Sequence, residues 1–192
     1  MKSITNILFD TSFLLNDSKD IELITKMLRK DGISCYISKT VRTEIEGLYY
    51  FGRITEEQYN RAIRRYKRAG AEDIEKRRNY LQESMTNECT TSMNEQHGIE
   101  TKDVRNDCNI LTSGLINDID VILSEVFHFT SMNTDNVVNK VCETTCERYE
   151  RMCECDILMM NRTTFLAAYS DRKIDVGIME SMKKDIRKDT KK

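Results

Sequence analysis

Four acidic side chains, Asp10, Glu44, Asp107 and Glu125, lie far apart along this 192-residue chain, each beside an expected strand end or helix start. In a wound parallel sheet the functional crevice lies at the carboxyl ends of the strands, so the four acids are expected to meet at one rim. Mutual repulsion and desolvation make such a cluster costly unless a cation offsets it. All-oxygen donors favour Mg²⁺ or Mn²⁺ over zinc. A carboxylate site holding one or two such ions can activate water and stabilise the leaving oxygen of a phosphodiester, which is metal-assisted hydrolysis. The hydroxyls of Ser12 and Ser124 stand close by in sequence and are candidates to orient ligands or water, or simply to satisfy local backbone groups. The plain structural roles of the acids are a strand terminator for Asp10, a surface acid for Glu44 and a dipole-favoured helix acid for Asp107.

The elements that must position these residues read as an alternation. Ile4–Phe9 is a short apolar run that stops at Asp10 and suits a buried parallel strand. Asp20–Arg29 places Ile21, Ile24 and Leu28 on one helical face and ends at Asp31-Gly32. Ile33–Ile37 is a second strand, and Thr40–Tyr50 a helix with Val41, Ile45 and Leu48 along one stripe. Strand, helix, strand, helix is the order of a wound parallel sheet. Thr55 and Gln58 form a capping-box pattern opening a long helix, with Tyr59, Ala62, Ile63 and Tyr66 inward and Gly70 as its break. A charged stretch continues to about Gln82, and Thr86–Gly98, polar and without pattern, reads as a loop. Asp103 is the expected cap of a helix carrying Asp107; Asp120 leads into a third strand ending at Ser124. Thr134–Arg151 reads as a helix, Asp156–Met160 as a fourth strand and Thr163–Tyr169 as a short helix. Residues 171–192 are charged, a docked helix or a frayed tail.

Taken in order, these segments resemble PIN domains. ILFDTSFLLN is similar to their opening, an apolar strand running into Asp and then Ser or Thr. VRTEIEGL resembles the second motif and points to Glu44 rather than Glu46. NDCNILTSGLINDIDVILSEVFHF resembles the third block, with Asp107 opening a small-residue helix and Ser124 closing the strand. DILMMNRTTFLAAY resembles the last strand and short helix. The likeness runs from about Ile4 to Tyr169, looser between Thr55 and Gly98. It implies a three-layer α/β/α domain over residues 1–170 with a four- to five-stranded parallel sheet, followed by the charged segment 171–192. It implies a Mg²⁺- or Mn²⁺-dependent ribonuclease cutting single-stranded or structured RNA, with Asp10, Glu44 and Asp107 as metal ligands. Such a protein is expected as a toxin of a toxin–antitoxin pair, with an antitoxin partner, or as an RNA-processing factor, and a homodimer is a further expectation. The family's fourth acid falls two residues after the closing hydroxyl, where this chain has Val126. Glu125, one step early, or Asp103, one turn before Asp107, stands in for it, or the site is degraded and the protein is an RNA-binding scaffold. FDTS also resembles the haloacid dehalogenase strand end, but that chemistry needs an acid at position 12, which is Ser.

Composition sets the remaining bounds. Apolar residues make up 39% and charged residues 32%, a globular balance, and the net charge is −2. Charge is local instead: Arg61, Arg64, Arg65, Lys67 and Arg68 form a basic stripe, and the segment from Lys183 to Lys192 is basic. A basic helix face is ordinarily solvated; in a nuclease Arg61, Arg64, Arg65 and Arg68 would contact RNA phosphates. No apolar run reaches the roughly 18–20 residues that span a bilayer, and the start reads as a strand rather than a signal, so a cytoplasmic protein with reduced thiols is expected. Cys142 and Cys146 share a helix face, as zinc ligands can. Without a CxxC knuckle, however, structural zinc at Cys142, Cys146, Cys153 and Cys155 is not the expectation. His97 and His128 stand isolated in sequence, His128 as local packing between Phe127 and Phe129.

Overall fold

The computed structural model describes residues 1–74, 80–152 and 155–189, with the backbone alone at 132 and 184–189. In chain order the elements are β1 (Lys2–Ser3), β2 (Asn6–Phe9), α1 (Thr11–Leu15), α2 (Asp20–Lys30), β3 (Ser34–Ile37), α3 (Lys39–Tyr50), α4 (Glu56–Ala69) and β4 (Glu72–Asp73). They continue with α5 (Tyr80–His97), α6 (Thr101–Ile116), β5 (Val121–Leu123), α7 (Phe127–Thr130), α8 (Met132–Tyr149), β6 (Leu158–Met160), α9 (Arg162–Ala168), β7 (Tyr169–Ser170), β8 (Lys173–Ile174) and α10 (Val176–Asp189).

Five strands form a parallel sheet in the order β4-β3-β2-β5-β6, flanked by helices. Ile7, Leu8 and Phe9 of the central strand are fully buried, as expected of a strand covered on both faces. From β2 the chain winds outward through β3 to β4, then returns beside β2 as β5 and continues to β6. The reversal therefore falls between β2 and β5, whose register pairs Ile7 with Val121 and Phe9 with Leu123. Helix α6 lies tight against β5: a Cβ on Gly114 would come within 3.0 Å of Ile157 Cδ1 and 3.2 Å of Ile122 Cδ1. The capping box of α4 is present, with Thr55 and Gln58 bonded reciprocally, and Gly70 closes that helix in the left-handed conformation at φ 70°.

Four features depart from the sequence reading. Thr86–Gly98 is not a loop but most of helix α5, the loop's start being confined to residues beyond His97. Its buried residues are Gln82, Met85, Thr86, Cys89, Thr90, Ser92 and Met93, helical in spacing but carrying hydroxyls and sulfur instead of a hydrocarbon stripe. Two of those polar groups are bonded across the helix pair, Gln82 Nε2 donating to Ser113 Oγ at 2.9 Å and Thr86 Oγ1 meeting Thr112 Oγ1 at 3.0 Å, while Thr90 Oγ1 donates within α5 to the Asn87 carbonyl at 2.9 Å. The cap of α6 is Glu100, not Asp103, which sits exposed in the first turn where the helix dipole favours an acid. A second sheet, β1-β8-β7, joins the two ends of the fold by antiparallel pairing of Lys2 with Ile174 and Ser3 with Lys173. Finally, the thiols are not all reduced: Cys89 is bonded to Cys108, Cys142 to Cys155, and Cys146 is also disulfide-bonded, while buried Cys35 is free. Those pairings join different elements, a proximity that spacing along the chain does not encode. With Cys142, Cys146 and Cys155 so engaged, three of the four sulfurs weighed for zinc are not thiolates; Cys153 lies outside the described residues.

Residues 75–79, part of the charged stretch expected to reach Gln82, are likewise outside the described set. The segment after Ala168 is no loose tail in its first part, since β7, β8 and α10 follow in order. Among the described residues, no helix is long and apolar enough to cross a membrane.

Candidate active site

The site is built where β2 and β5 end side by side. Asp10 directly follows β2, and its backbone N–H donates to the carbonyl of Leu123, the last residue of β5, at 3.0 Å. Its carboxylate is 2% exposed. Ser12 Oγ donates to Asp10 Oδ2 at 2.5 Å and Ser124 Oγ donates to the same oxygen at 2.8 Å. The two hydroxyls lie 3.2 Å apart, and each also accepts a backbone N–H, from Glu125 at 2.9 Å and Val126 at 3.2 Å respectively. Each serine therefore bonds the Asp10 carboxylate and satisfies a backbone group of the loop after β5.

Burial pushes the Asp10 carboxyl up to about 6; the Ser12 and Ser124 hydroxyls oppose that, while the charges of Asp107 and Glu44 add to it. The charges of two acids from remote parts of the chain thus reach Asp10 at the end of the central strand. Glu44 is held from two sides, Thr11 Oγ1 donating to Oε2 at 2.5 Å and Asn106 Nδ2 to Oε1 at 3.4 Å. Asp107 Oδ2 lies 2.7 Å from His128 Nε2. Behind that imidazole, the rings of His128 and His97 are 6.2 Å apart, and Thr134 Oγ1 donates to the His128 carbonyl while approaching His97 Nε2 at 3.5 Å. Burial lowers the His97 pKa, and the nearby charge of His128 lowers it further.

The fourth acid is placed differently. Glu125 Oε1 accepts from the backbone N–H of Arg162 at 2.8 Å, and Oε2 is paired with the guanidinium of the same residue. Arg162 also reaches Asp20 at 3.6 Å. A carboxylate with one oxygen on a backbone N–H and the other on a guanidinium is engaged in joining the end of β5 to α9 rather than offered to a metal. Asp103, the other stand-in, is an exposed first-turn acid.

The basic stripe of α4 divides as well. Arg65 is 2% exposed: its Nε donates to Glu22 Oε1 at 2.8 Å, and its terminal nitrogens donate to the carbonyls of Leu14, Asn16 and Ser18. It ties α4 to the chain between α1 and α2 and is not available to RNA. Arg61 is paired with Asp17, leaving Arg64, Lys67 and Arg68 as the exposed cations of this helix.

The histidine pair is the component that sequence reading missed. The signal was faint: His128 is one residue on a four-residue helix, and His97 ends a helix that reads as a loop. Their partners, Asp107 and Thr134, become visible only once the chain is folded.

No family model, curated protein or solved structure matches this chain. As the side chains lie, no three His, Cys, Asp or Glu residues among those described form a group placed to hold a metal ion. The donors of Asp10, Glu44 and Asp107 are nonetheless right in kind for a hard divalent cation. Glu44 and Asp107 are each turned to a neighbour, as acids in mutual repulsion are expected to be.

Proposed function

We propose that this protein is a metal-dependent endoribonuclease with a three-layer PIN-like fold, and that Asp10, Glu44 and Asp107 are its metal-binding acids. The observation that carries the reading is the buried Asp10 carboxylate, at the reversal point of the sheet, with two further acids acting on it. That is the crevice where wound α/β sheets bind their ligands. A buried acid held near neutrality by burial and by like charges is an unfavourable arrangement for stability alone and a favourable one for a cation. Mg²⁺ or Mn²⁺, when bound, would supply an activated water and charge neutralisation at the phosphodiester.

The chain's own residues have separable tasks. Ser12 and Ser124 fix Asp10 Oδ2 from two sides, so the acid presents one orientation at the rim. Thr11 and Asn106 hold Glu44, and His128 holds Asp107, so the two outer acids are positioned by neighbours on other elements. The exposed cations Arg64, Lys67 and Arg68 contribute a sequence-independent attraction for the phosphate backbone.

The test is Mn²⁺-dependent cleavage of an end-labelled RNA by wild-type and Asp10→Asn protein. Loss of cleavage with retained fold is expected; unchanged cleavage in the variant would sink the assignment. A degraded, RNA-binding scaffold is a second reading, favoured by one observation, the engagement of Glu125 by Arg162 where a fourth acid would stand. Calorimetry separates the two, because a scaffold would bind RNA without measurable Mn²⁺ affinity.

A further inference from the structure

Helix α3 carries more than Glu44. Residues three, four and seven positions further on share the stripe of that acid, which places Gly47, Leu48 and Phe51 in line with it over roughly 10 Å of helix. Beside the part of this line beyond Glu44 lies an open groove of about 510 Å³ bounded by Gly47, Leu48, Phe51, Gly52 and Arg53. The groove is open at Gly47, where an added Cβ would meet nothing within 4 Å. At its far end Phe51 is 75% exposed, beside Tyr50 at 82%, the two rings packed edge to face with centroids 5.1 Å apart. The helix end that bears them is braced, since Tyr49 stacks on Tyr59 of α4 at 4.7 Å.

We infer that this groove is a binding track for single-stranded RNA, with an unpaired base stacked on Phe51, the backbone neutralised by Arg53 and the strand running toward Glu44. Two adjacent aromatic rings expose apolar area to water, and among the described residues their ring contact is with each other. An unpaired base offers the flat π-face that such a ring takes, and a guanidinium two residues away supplies the charge that a phosphate needs. A duplex fits poorly, because its bases are already stacked on one another and present no free face. The inference rests on the nuclease reading only for the direction of the track, toward the acidic rim.

The experiment is fluorescence anisotropy with an end-labelled oligouridine and with an RNA duplex of equal length, in EDTA and in an Asp10→Asn background so that the probe stays intact. Phe51→Ala is expected to weaken oligouridine binding by about 5- to 100-fold and to leave duplex binding unchanged, with Phe51→Trp restoring affinity. Arg53→Ala is expected to reduce the slope of log affinity against log salt by about 0.7. Because Phe51 is largely exposed, circular dichroism of the variant should match the parent. Equal affinity of the Phe51→Ala variant overturns the inference, as does absence of oligouridine binding by the parent. So does sedimentation showing that Phe51→Ala breaks a dimer while RNA binding persists, which would assign the groove to a second copy of the chain. Should oligouridine binding depend on Phe51 while wild-type protein cuts no RNA with Mn²⁺, the nuclease reading fails and the binding track stands.

Discussion

Asp10 concentrates the energetics of the site in one carboxyl group. Burial pushes its pKa up from the ordinary 3.8 to about 6 in the folded protein. Between those pH values the folded protein holds a proton that the unfolded chain has released, so stability falls as pH rises through that interval. Above about 6 the penalty is complete, at most about 3 kcal/mol for a shift of this size. Asp10→Asn removes the charge and keeps an acceptor for the serine hydroxyls. It is therefore expected to stabilise the metal-free protein at pH 7.5 by up to about 3 kcal/mol and to give no gain near pH 4. Urea denaturation in EDTA at the two pH values checks this; equal or lower stability of the variant at pH 7.5 contradicts it. His128 belongs to the same scale. If Asp107 is a metal ligand, an imidazole 2.7 Å from its Oδ2 orients it. His128→Ala is then expected to lower Mn²⁺ affinity by about 10- to 100-fold in calorimetry while leaving the thermal transition in EDTA near that of the parent.

At the scale of elements, the long basic helix α4 is both tether and surface. Arg65 satisfies three carbonyls, Leu14 near the end of α1 and Asn16 and Ser18 beyond it, and pairs with Glu22, whose carboxyl it holds below the usual range against the opposing effect of burial. Removing it leaves several buried acceptors without a donor. Arg65→Met is expected to cost about 3 kcal/mol, whereas Arg64→Ala, one position away but exposed, should change stability by less than about 0.5 kcal/mol. Chemical denaturation of the two variants compares them directly, and similar values would remove the tether role. Helices α5 and α6 are joined by the Cys89–Cys108 disulfide, which closes a separation of 19 residues. Loop-closure entropy gives such a bond about 3 kcal/mol, so the Cys89→Ser, Cys108→Ser double variant is expected to unfold at correspondingly lower urea. The hydroxyl-lined contact between these helices explains why α5 escapes a hydrophobicity pattern: its buried face is periodic in size and hydrogen-bonding capacity, not in carbon.

The whole molecule is closed by its ends. Strand β1 pairs with β8, and α10 docks through Lys183, 4% exposed, whose ammonium lies 2.8 and 3.1 Å from the two oxygens of Asp135 on α8. Residues 171–192 thus begin as part of the fold, the boundary at 170 falling inside the β7–β8 hairpin. Lys183→Ala is expected to destabilise the protein by about 1–3 kcal/mol, less than a fully buried pair because Asp135 remains half exposed, with thermal unfolding as the measure. The same closure leaves the rim at β2 and β5 as the place where the charges of Asp107 on α6 and Glu44 on α3 reach Asp10 at the end of β2, with the groove of α3 farther along the helix that carries Glu44.

What the sequence determined by itself is local and periodic. The apolar run before Asp10, the alternation of strands and helices, the Thr55–Gln58 cap and the placement of acids at strand ends all follow from neighbours within a few residues. Backbone preference and side-chain period are properties of a segment. What the tertiary structure alone decided is pairing between remote residues. It gave Glu125 to Arg162, 37 positions away, turned Arg65 inward on carbonyls 47 to 51 positions away, and set His128 against Asp107. Each of these acids and bases reads alike in sequence. Only the folded chain, by deciding which charges lose water and which opposite groups reach them, separates an acid left to bind a cation from one already neutralised.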